Sequence, residues 1–408
     1  MIYLDYQATT PLAPEALEAM LPWLRDQHAN PHSAHASGRA AKAAVEVARG
    51  QVLRLIAPEP QPAPLILDGL HPSTQAFLED IERQIAARRE HGPGAGQVFF
   101  TSGATEALNW AITGTWERLR AERPKIVTIA TEHAAVLDTV DALRLLGAEL
   151  VILPVDRDGF VDLDAAKAAI DTRTALVCAM LINNEIGVRQ HVDTLGALAH
   201  EHGAVVLCDA VQGVGRWGVP LWACDLVAIS AHKIYGPKGI GALWVRNGYM
   251  PAPLLHGGGQ EAGVRSGTLS PALCAGFGAA ARLMRERVSE DMRHVEHLWR
   301  VARQTLKGPE WLLNGSRVQR YKGNLNVRRP GLDVARLMSD CRDIAFSAGS
   351  ACASGSGRPS HVLRALGLTD AEARSSIRLG WGRYTTEDEL RDALTRIDVA
   401  ARAQRIAA

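Results

Sequence analysis

The 408-residue sequence predicts an α/β protein, with a large domain on a mostly parallel sheet flanked by helices and a smaller α+β C-terminal domain. Three observations carry this expectation. Apolar β-like runs alternate with helical stretches from about residue 97 to 246, the pattern of a sheet covered on both faces. After Gly257-Gly-Gly259 the alternation gives way to one long helical stretch. Hydrophobic residues make up 47% of a chain longer than one typical domain, enough for a sizeable core.

In chain order, a short strand at 97–100 leads through a small-residue turn into a helix at 107–119. Strands are then expected at 126–130, 149–155, 175–181, 204–208, 226–230 and 241–245, with helices at 134–146, 163–169 and 192–202. Ala228 and Leu243 are too close in sequence for a helical crossover, so some neighbouring strands must be antiparallel. A long helix at 272–306 precedes shorter α and β pieces. Residues 1–14 and 260–408 are assigned to the small domain and 15–259 to the large one. Within the latter, residues 58–96 begin in a proline-rich run, end in Gly92-Pro-Gly-Ala-Gly96 and carry one amphipathic helical face (Phe77, Leu78, Ile81, Ile85).

A formal net charge of +1 gives no electrostatic footprint for nucleic acid or an anionic membrane. No apolar run is long enough to span a bilayer, and strand-like sequence begins at Ile2, which leaves no room for a signal peptide. Six cysteines without CxxC spacing fit a reducing compartment, so a cytoplasmic protein is expected.

The most informative stretch is Ser230-Ala-His-Lys-Ile-Tyr-Gly-Pro-Lys-Gly239, which sets Lys233 between an apolar strand and a glycine-rich turn. A lysine leaving a strand end into a site can form a Schiff base with an aldehyde cofactor. Burial lowers its pKa, and only the neutral amine is a nucleophile. A lone lysine in such a place is more often a basic loop residue, but two other segments answer that reading. Asp209 follows the apolar run 204–207. An aspartate after a strand commonly caps a helix, yet it can also face the crevice where open α/β sheets bind ligands. Pyridoxal phosphate needs such an anion at its ring nitrogen to remain an electron sink. Asp209 and Lys233 lie one strand-to-strand excursion apart and can reach the same crevice. Finally, Thr101-Ser-Gly-Ala-Thr-Glu-Ala107 feeds a helix N-terminus and can offer backbone N–H groups to a phosphate around Ala104 and Thr105.

With these segments in place the chain resembles the pyridoxal-phosphate-dependent cysteine desulfurases of the class V aminotransferases. Matching blocks run nearly its whole length: Tyr3-Leu-Asp-Tyr-Gln-Ala-Thr-Thr10, Asn30-Pro-His-Ser-Ala-His35, the turn at 101–106, Thr131-Glu-His-Ala-Ala-Val136 and Asn183-Asn-Glu-Ile-Gly187. They continue through Asp209-Ala-Val-Gln212, the lysine block, Arg265-Ser-Gly-Thr268, Gly349-Ser-Ala-Cys-Ala-Ser354 and Ser375-Ser-Ile-Arg378. The resemblance implies pyridoxal-phosphate fold type I, and it implies roles. Lys233 would hold the cofactor, Asp209 would pair with the ring nitrogen, Gln212 would bond the phenolic oxygen and His133 would stack on the ring. Thr105, Ser230 and His232 would bind phosphate, with Thr268 reaching in from the second subunit of a homodimer. Asn184 and Arg378 would orient L-cysteine, Arg378 by forking onto its carboxylate. His133 also competes with a capping role, and Arg378 with an ordinary structural salt bridge.

Cys352 is the expected sulfur acceptor. It lies in Ser347-Ala-Gly-Ser-Ala-Cys-Ala-Ser-Gly-Ser-Gly-Arg-Pro359, a small-residue run that should be mobile and leave the thiol unburied. Cys178, Cys208, Cys224 and Cys274 sit in or beside apolar segments and read as structural, and Cys341 is assigned with them. By resemblance, L-cysteine is converted to L-alanine while Cys352 carries the sulfur as a persulfide to an acceptor protein, an Fe–S scaffold or a tRNA-thiolation protein. The serine-rich loop matches the long-loop subgroup, which favours direct delivery to a scaffold. The chain departs from that subgroup in the 58–96 insertion, expected to be a tolerated surface element or a docking element, and in having only thirty residues after Arg378. Alternatives on the same scaffold are a selenocysteine lyase or a class V aminotransferase. A catalytically silent binding subunit is disfavoured by the presence of both Lys233 and Cys352.

Overall fold

The computed structural model describes residues 1–57, 95–349 and 359–404. The chain opens with a short strand β1 (Ile2–Tyr3) and two helices, α1 (Pro14–Arg25) and α2 (Ala36–Ile56). The α/β region follows: β2 (Gly96–Thr101), α3 (Ala104–Leu119), β3 (Lys125–Ile129), α4 (Ala134–Arg144), β4 (Glu149–Leu153) and α5 (Leu163–Ala169). It continues through β5 (Thr174–Met180), α6 (Val192–Glu201), β6 (Val205–Asp209), β7 (Leu226–Ser230) and β8 (Gly241–Arg246). These strands form one seven-stranded sheet in the order β2-β8-β7-β6-β5-β3-β4.

Only β8 runs against the others, pairing antiparallel with both β2 and β7. Ala228 and Leu243 are direct partners across the β7–β8 ladder, so the short sequence gap does produce the expected antiparallel neighbours. β5 is buried over its whole length, as a strand covered by helices on both faces must be. Its residues alternate between two cores, Leu176 and Cys178 entering one and Val177 and Ala179 the other.

Past residue 260 the long helix α7 (Pro271–Thr305) dominates. Ser270 caps it by accepting from the Leu273 N–H, and Pro271 sits in the first turn, where its missing N–H costs nothing. α7 lies along α1 and α2. Close approach to α2 requires Gly278, since a Cβ there would stand 2.7 Å from the Ala48 Cα. Beyond it come β9 (Leu312–Leu313), β10 (Asn324–Arg328), α8 (Val334–Asp340), β11 (Ile344–Ala345) and β12 (Ser347–Ala348). The last elements are α9 (His361–Ala365), α10 (Asp370–Arg374), β13 (Ser376–Gly380) and α11 (Glu387–Ala403). β12, β13, β10 and β9 make a four-stranded antiparallel sheet, and β1 pairs in parallel with β11.

Two boundaries differ instructively from expectation. α3 starts at Ala104 rather than 107, because Gly103 serves as the extended N-cap and Ala-Thr-Glu form the first turn. α4 stops at Arg144 rather than 146, just before Gly147 turns left-handed at φ 101°. Apart from residues 95 and 96, the 58–96 insertion lies outside the described residues. No helix among the described residues is long and apolar enough to cross a membrane.

Candidate active site

The carboxyl ends of β3, β5, β6 and β7 all open along one edge of the sheet, where open α/β folds place their ligands. A cavity of about 510 Å³ lies there. Lys233, Asp209, Gln212, His133, Ala104, Thr105, Ser230, His232, Asn184 and Arg378 all line it. Thr268 does not: it is exposed on the segment between Gly257 and α7. Cys352 lies outside the described residues.

Lys233 follows β7 in a single turn of 3-10 helix. Its Nζ donates to the Gln7 carbonyl at 2.5 Å and the Ala8 carbonyl at 2.8 Å, and its own carbonyl accepts from Arg216 Nη2 at 2.6 Å. Tyr235, two residues on, is left-handed at φ 67° and donates its N–H to Thr10 Oγ1 at 2.7 Å. The N-terminal segment therefore straps the lysine turn in place. Burial, aided by the Arg378 and Arg216 charges, pulls the Lys233 pKa down to about 8.

Asp209 is the last residue of β6, and its Oδ1 accepts from the Val211 N–H at 2.9 Å. Burial pushes this carboxyl upward against the pull of that bond, His133 and Lys233. His133 caps α4, its Nδ1 accepting from the Ala135 N–H at 3.0 Å. The capping role and the cavity role thus coexist in one ring, with Nε2 left to carry the proton of the neutral imidazole. Burial lowers the His133 pKa. Behind it Glu132 is wholly buried; its Oε1 accepts from the Met180 N–H at 2.6 Å and its Oε2 has no partner. Burial, then the Asp209 charge, pushes the Glu132 carboxyl well above its usual range.

Across the cavity, α3 presents its N-terminus without a capping side chain. The first N–H groups of such a helix have no intrahelical acceptors and suit a phosphate. The turn rests directly on β8, where a Cβ on Gly241 would come 2.6 Å from the Gly103 backbone. Glu106 fixes it by accepting from the Ser102 N–H at 2.7 Å and from Arg265 in a fork at 2.6 and 2.9 Å. His232 is held by Thr9 Oγ1 at 3.1 Å; burial, Lys233 and Lys238 press its pKa down to about 4.

Gln212 is bonded at both ends of its amide, donating to the Gln7 carbonyl at 2.9 Å and accepting from Arg216 at 2.7 Å. The second Nε2 hydrogen remains for a ligand. Arg378 leaves β13 with its side chain almost wholly enclosed, its Nη2 donating to Asp5 at 2.8 Å and its Nη1 to the Asn184 carbonyl at 3.2 Å. It is both a salt-bridge residue and a cavity residue.

Sequence reasoning attached no role to Asp5, Gln7, Ala8, Thr9, Glu132 or Arg216. A cluster of polar residues, Asp5-Tyr-Gln-Ala-Thr-Thr10, in an otherwise strand-like opening was the available signal. The donor set fits pyridoxal phosphate: an amine of lowered pKa, a carboxylate, an imidazole and an uncapped helix N-terminus share one cavity.

The family model for aminotransferase class-V matches residues 2–90 and 69–392. A cysteine desulfurase IscS from Rickettsia bellii is 40% identical over 396 residues, covering 95% of this chain and 88% of that protein. Its counterpart from Rickettsia felis has the same identity and coverage. Among solved structures, a NifS-like protein aligns with a TM-score of 0.82 at 30% identity, covering 98% of both chains. The complex of SspA with cysteine aligns with a TM-score of 0.75 at 30% identity, covering 95% of this chain and 100% of that one.

Proposed function

As the chain belongs to the aminotransferase class-V family, we infer that it is a pyridoxal-phosphate-dependent cysteine desulfurase. Its fold is that of the NifS-like enzymes, pyridoxal-phosphate fold type I. The observation that carries the reading is the meeting of Lys233, Asp209, His133 and Arg378 in one cavity. The cysteine seen with a structural relative supports L-cysteine as substrate.

When bound, pyridoxal phosphate supplies an electron sink for the pair released at the substrate Cα. Lys233 would hold it covalently; with a pKa near 8, about a tenth of the amine is neutral at pH 7, enough to act as nucleophile and proton carrier. Asp209 would set a negative charge against the ring nitrogen, and His133 would pack against the ring with a neutral imidazole. The α3 N-terminus with Thr105, Ser230 and His232 would take the phosphate, His232 as a neutral donor or acceptor. Gln212 would offer its remaining N–H to the phenolic oxygen. Arg378 and Asn184 hold the substrate's carboxylate end. The Cys352 thiolate takes the substrate sulfur, forming an S–S bond as the C–S bond breaks; the pair from that bond stays with the carbon skeleton, which takes up protons and leaves as L-alanine.

The same reading makes the enzyme a homodimer, supported by Thr268 standing exposed and away from its own cavity. It passes the persulfide to an acceptor protein serving Fe–S assembly or thiolation. We divide the chain into a small domain (1–14 and 260–408) and a large one (15–259), a division supported by the separate sheets. A cytoplasmic setting is supported by Cys178, Cys208, Cys224, Cys274 and Cys341, all free and buried.

The test compares alanine and persulfide formation from L-cysteine in wild type and Cys352→Ser. The variant should still bind L-cysteine, seen as a change in cofactor absorbance, but release no sulfur. Sulfur release at the wild-type rate would make Cys352 a bystander and point to another reaction.

A further inference from the structure

Arg378 does not stand alone. Its Nη2 meets Asp5 Oδ1 at 2.8 Å and Ser347 Oγ at 3.3 Å, and Ser347 Oγ in turn donates to the same Asp5 oxygen at 2.9 Å. The three residues come from three elements: Asp5 from the segment after β1, Ser347 from β12 and Arg378 from β13. Ser347 and Arg378 are also direct partners across the β12–β13 ladder, and Asp5 bridges to Gly380. The guanidinium is therefore clamped on one edge by a triangle of hydrogen bonds. A second contact, Nη1 to the Asn184 carbonyl, fixes the opposite nitrogen, while Nε has no partner.

Such fixing has a cost in charge. Asp5 places an anion beside the group meant to receive another anion, and by Coulomb's law alone this weakens binding of a carboxylate. What the clamp gives in return is orientation, because a guanidinium fork bonds a carboxylate well only in plane. We propose that Asp5 is a positioning residue, with Ser347 as its brace, that presents Arg378 to the carboxylate of the amino-acid substrate. The proposal rests on reading Arg378 as the carboxylate anchor.

The two effects of Asp5 have opposite signs, which makes the test sharp. Asp5→Ala removes the acceptor oxygen together with the charge, whereas Asp5→Asn keeps the acceptor and loses only the charge. Steady-state desulfuration should show KM for L-cysteine raised about tenfold in Asp5→Ala, with kcat within about threefold of wild type, and KM in Asp5→Asn at or below the wild-type value. Ser347→Ala should raise KM in the same direction by less. A probe without turnover is displacement by cysteamine, which lacks the carboxylate. The holoenzyme's preference for L-cysteine over cysteamine, read from cofactor absorbance, should fall in Asp5→Ala and in Arg378→Lys. Combining the two substitutions should add little to either alone. Asp5→Glu, which restores the charge out of place, should not rescue KM.

An unchanged or lower KM in Asp5→Ala overturns the proposal, since repulsion rather than orientation would then be the residue's main effect. If Arg378→Lys leaves KM and the cysteamine preference untouched, the anchor reading itself fails. If Arg378→Lys has its effect and Asp5→Ala has none, the anchor stands and the positioning role falls. A parallel thermal melt separates loss of fold: an Asp5→Ala protein that melts early makes Ser347→Ala the deciding variant.

Discussion

Replacing Asp291 by alanine should cost far more stability than most ion pairs on this protein are worth. Asp291, on α7, accepts from Arg383 Nε at 3.1 Å and Nη2 at 2.6 Å, and the two side chains are only 11% and 2% exposed. The Arg383 guanidinium also lies 4.3 Å from the Tyr235 ring centroid, and its backbone N–H donates to the Tyr235 hydroxyl at 2.9 Å. Water cannot replace the carboxylate there. Asp291→Ala strands a buried cation, for which a loss of about 3–5 kcal/mol is expected. Asp291→Asn keeps one acceptor and should lose less. The double replacement Asp291→Leu with Arg383→Met removes both charges and should recover most of the loss. Urea unfolding of the holoenzyme, followed by tryptophan fluorescence, gives the midpoints. A loss below about 1 kcal/mol in Asp291→Ala, the range of exposed pairs, would refute the argument from burial.

Three other outcomes follow from the titratable groups. Covalent capture of pyridoxal phosphate by Lys233 in the apoenzyme should rise with pH around a midpoint near 8, read by reductive trapping and peptide mass; a midpoint near the ordinary lysine value of 10.5 would contradict the burial argument. Glu132→Gln should be as stable as wild type or more so at pH 7, because burial opposes ionisation of the native carboxyl. Its raised pKa contributes stability below the ordinary value of 4.5 that is lost as pH climbs toward the native value, so wild type should gain on the variant in acid. Asp225 behaves oppositely: burial opposes its charge, but His200 at 2.8 Å, the Val206 N–H at 2.9 Å and Arg246 hold its pKa below 3.8. Asp225→Asn should cost about 1–3 kcal/mol at neutral pH, and the difference from wild type should vanish as pH falls through that lowered value.

Lys233, Asp209, His133 and the 101–106 turn were legible because each lies at or just beyond the carboxyl end of a strand, with a residue type that stands out chemically. Strand ends in an alternating α/β pattern converge on one edge, so finding them in sequence nearly locates the site. Asp5, Gln7 and Arg216 were not legible in the same way. Gln7 acts through its carbonyl, which every residue possesses, and Arg216 bonds a backbone oxygen and the Gln212 amide. Nothing in local periodicity marks a residue whose work is done through its main chain on a partner more than two hundred positions away. Helix ends slipped for a local reason: Gly103 looks like part of the turn until its extended geometry makes it a cap.

The strap on Lys233 also ties the site to the path of the chain. The carbonyls that hold the amine belong to Gln7 and Ala8, 226 and 225 positions before it, while Arg378 comes from a strand well after it. No local turn or hairpin can bring these groups together. The grip on the cofactor and the grip on the substrate's carboxylate therefore depend on different long-range closures of the same chain, and a disturbance that loosens one closure can spare the other.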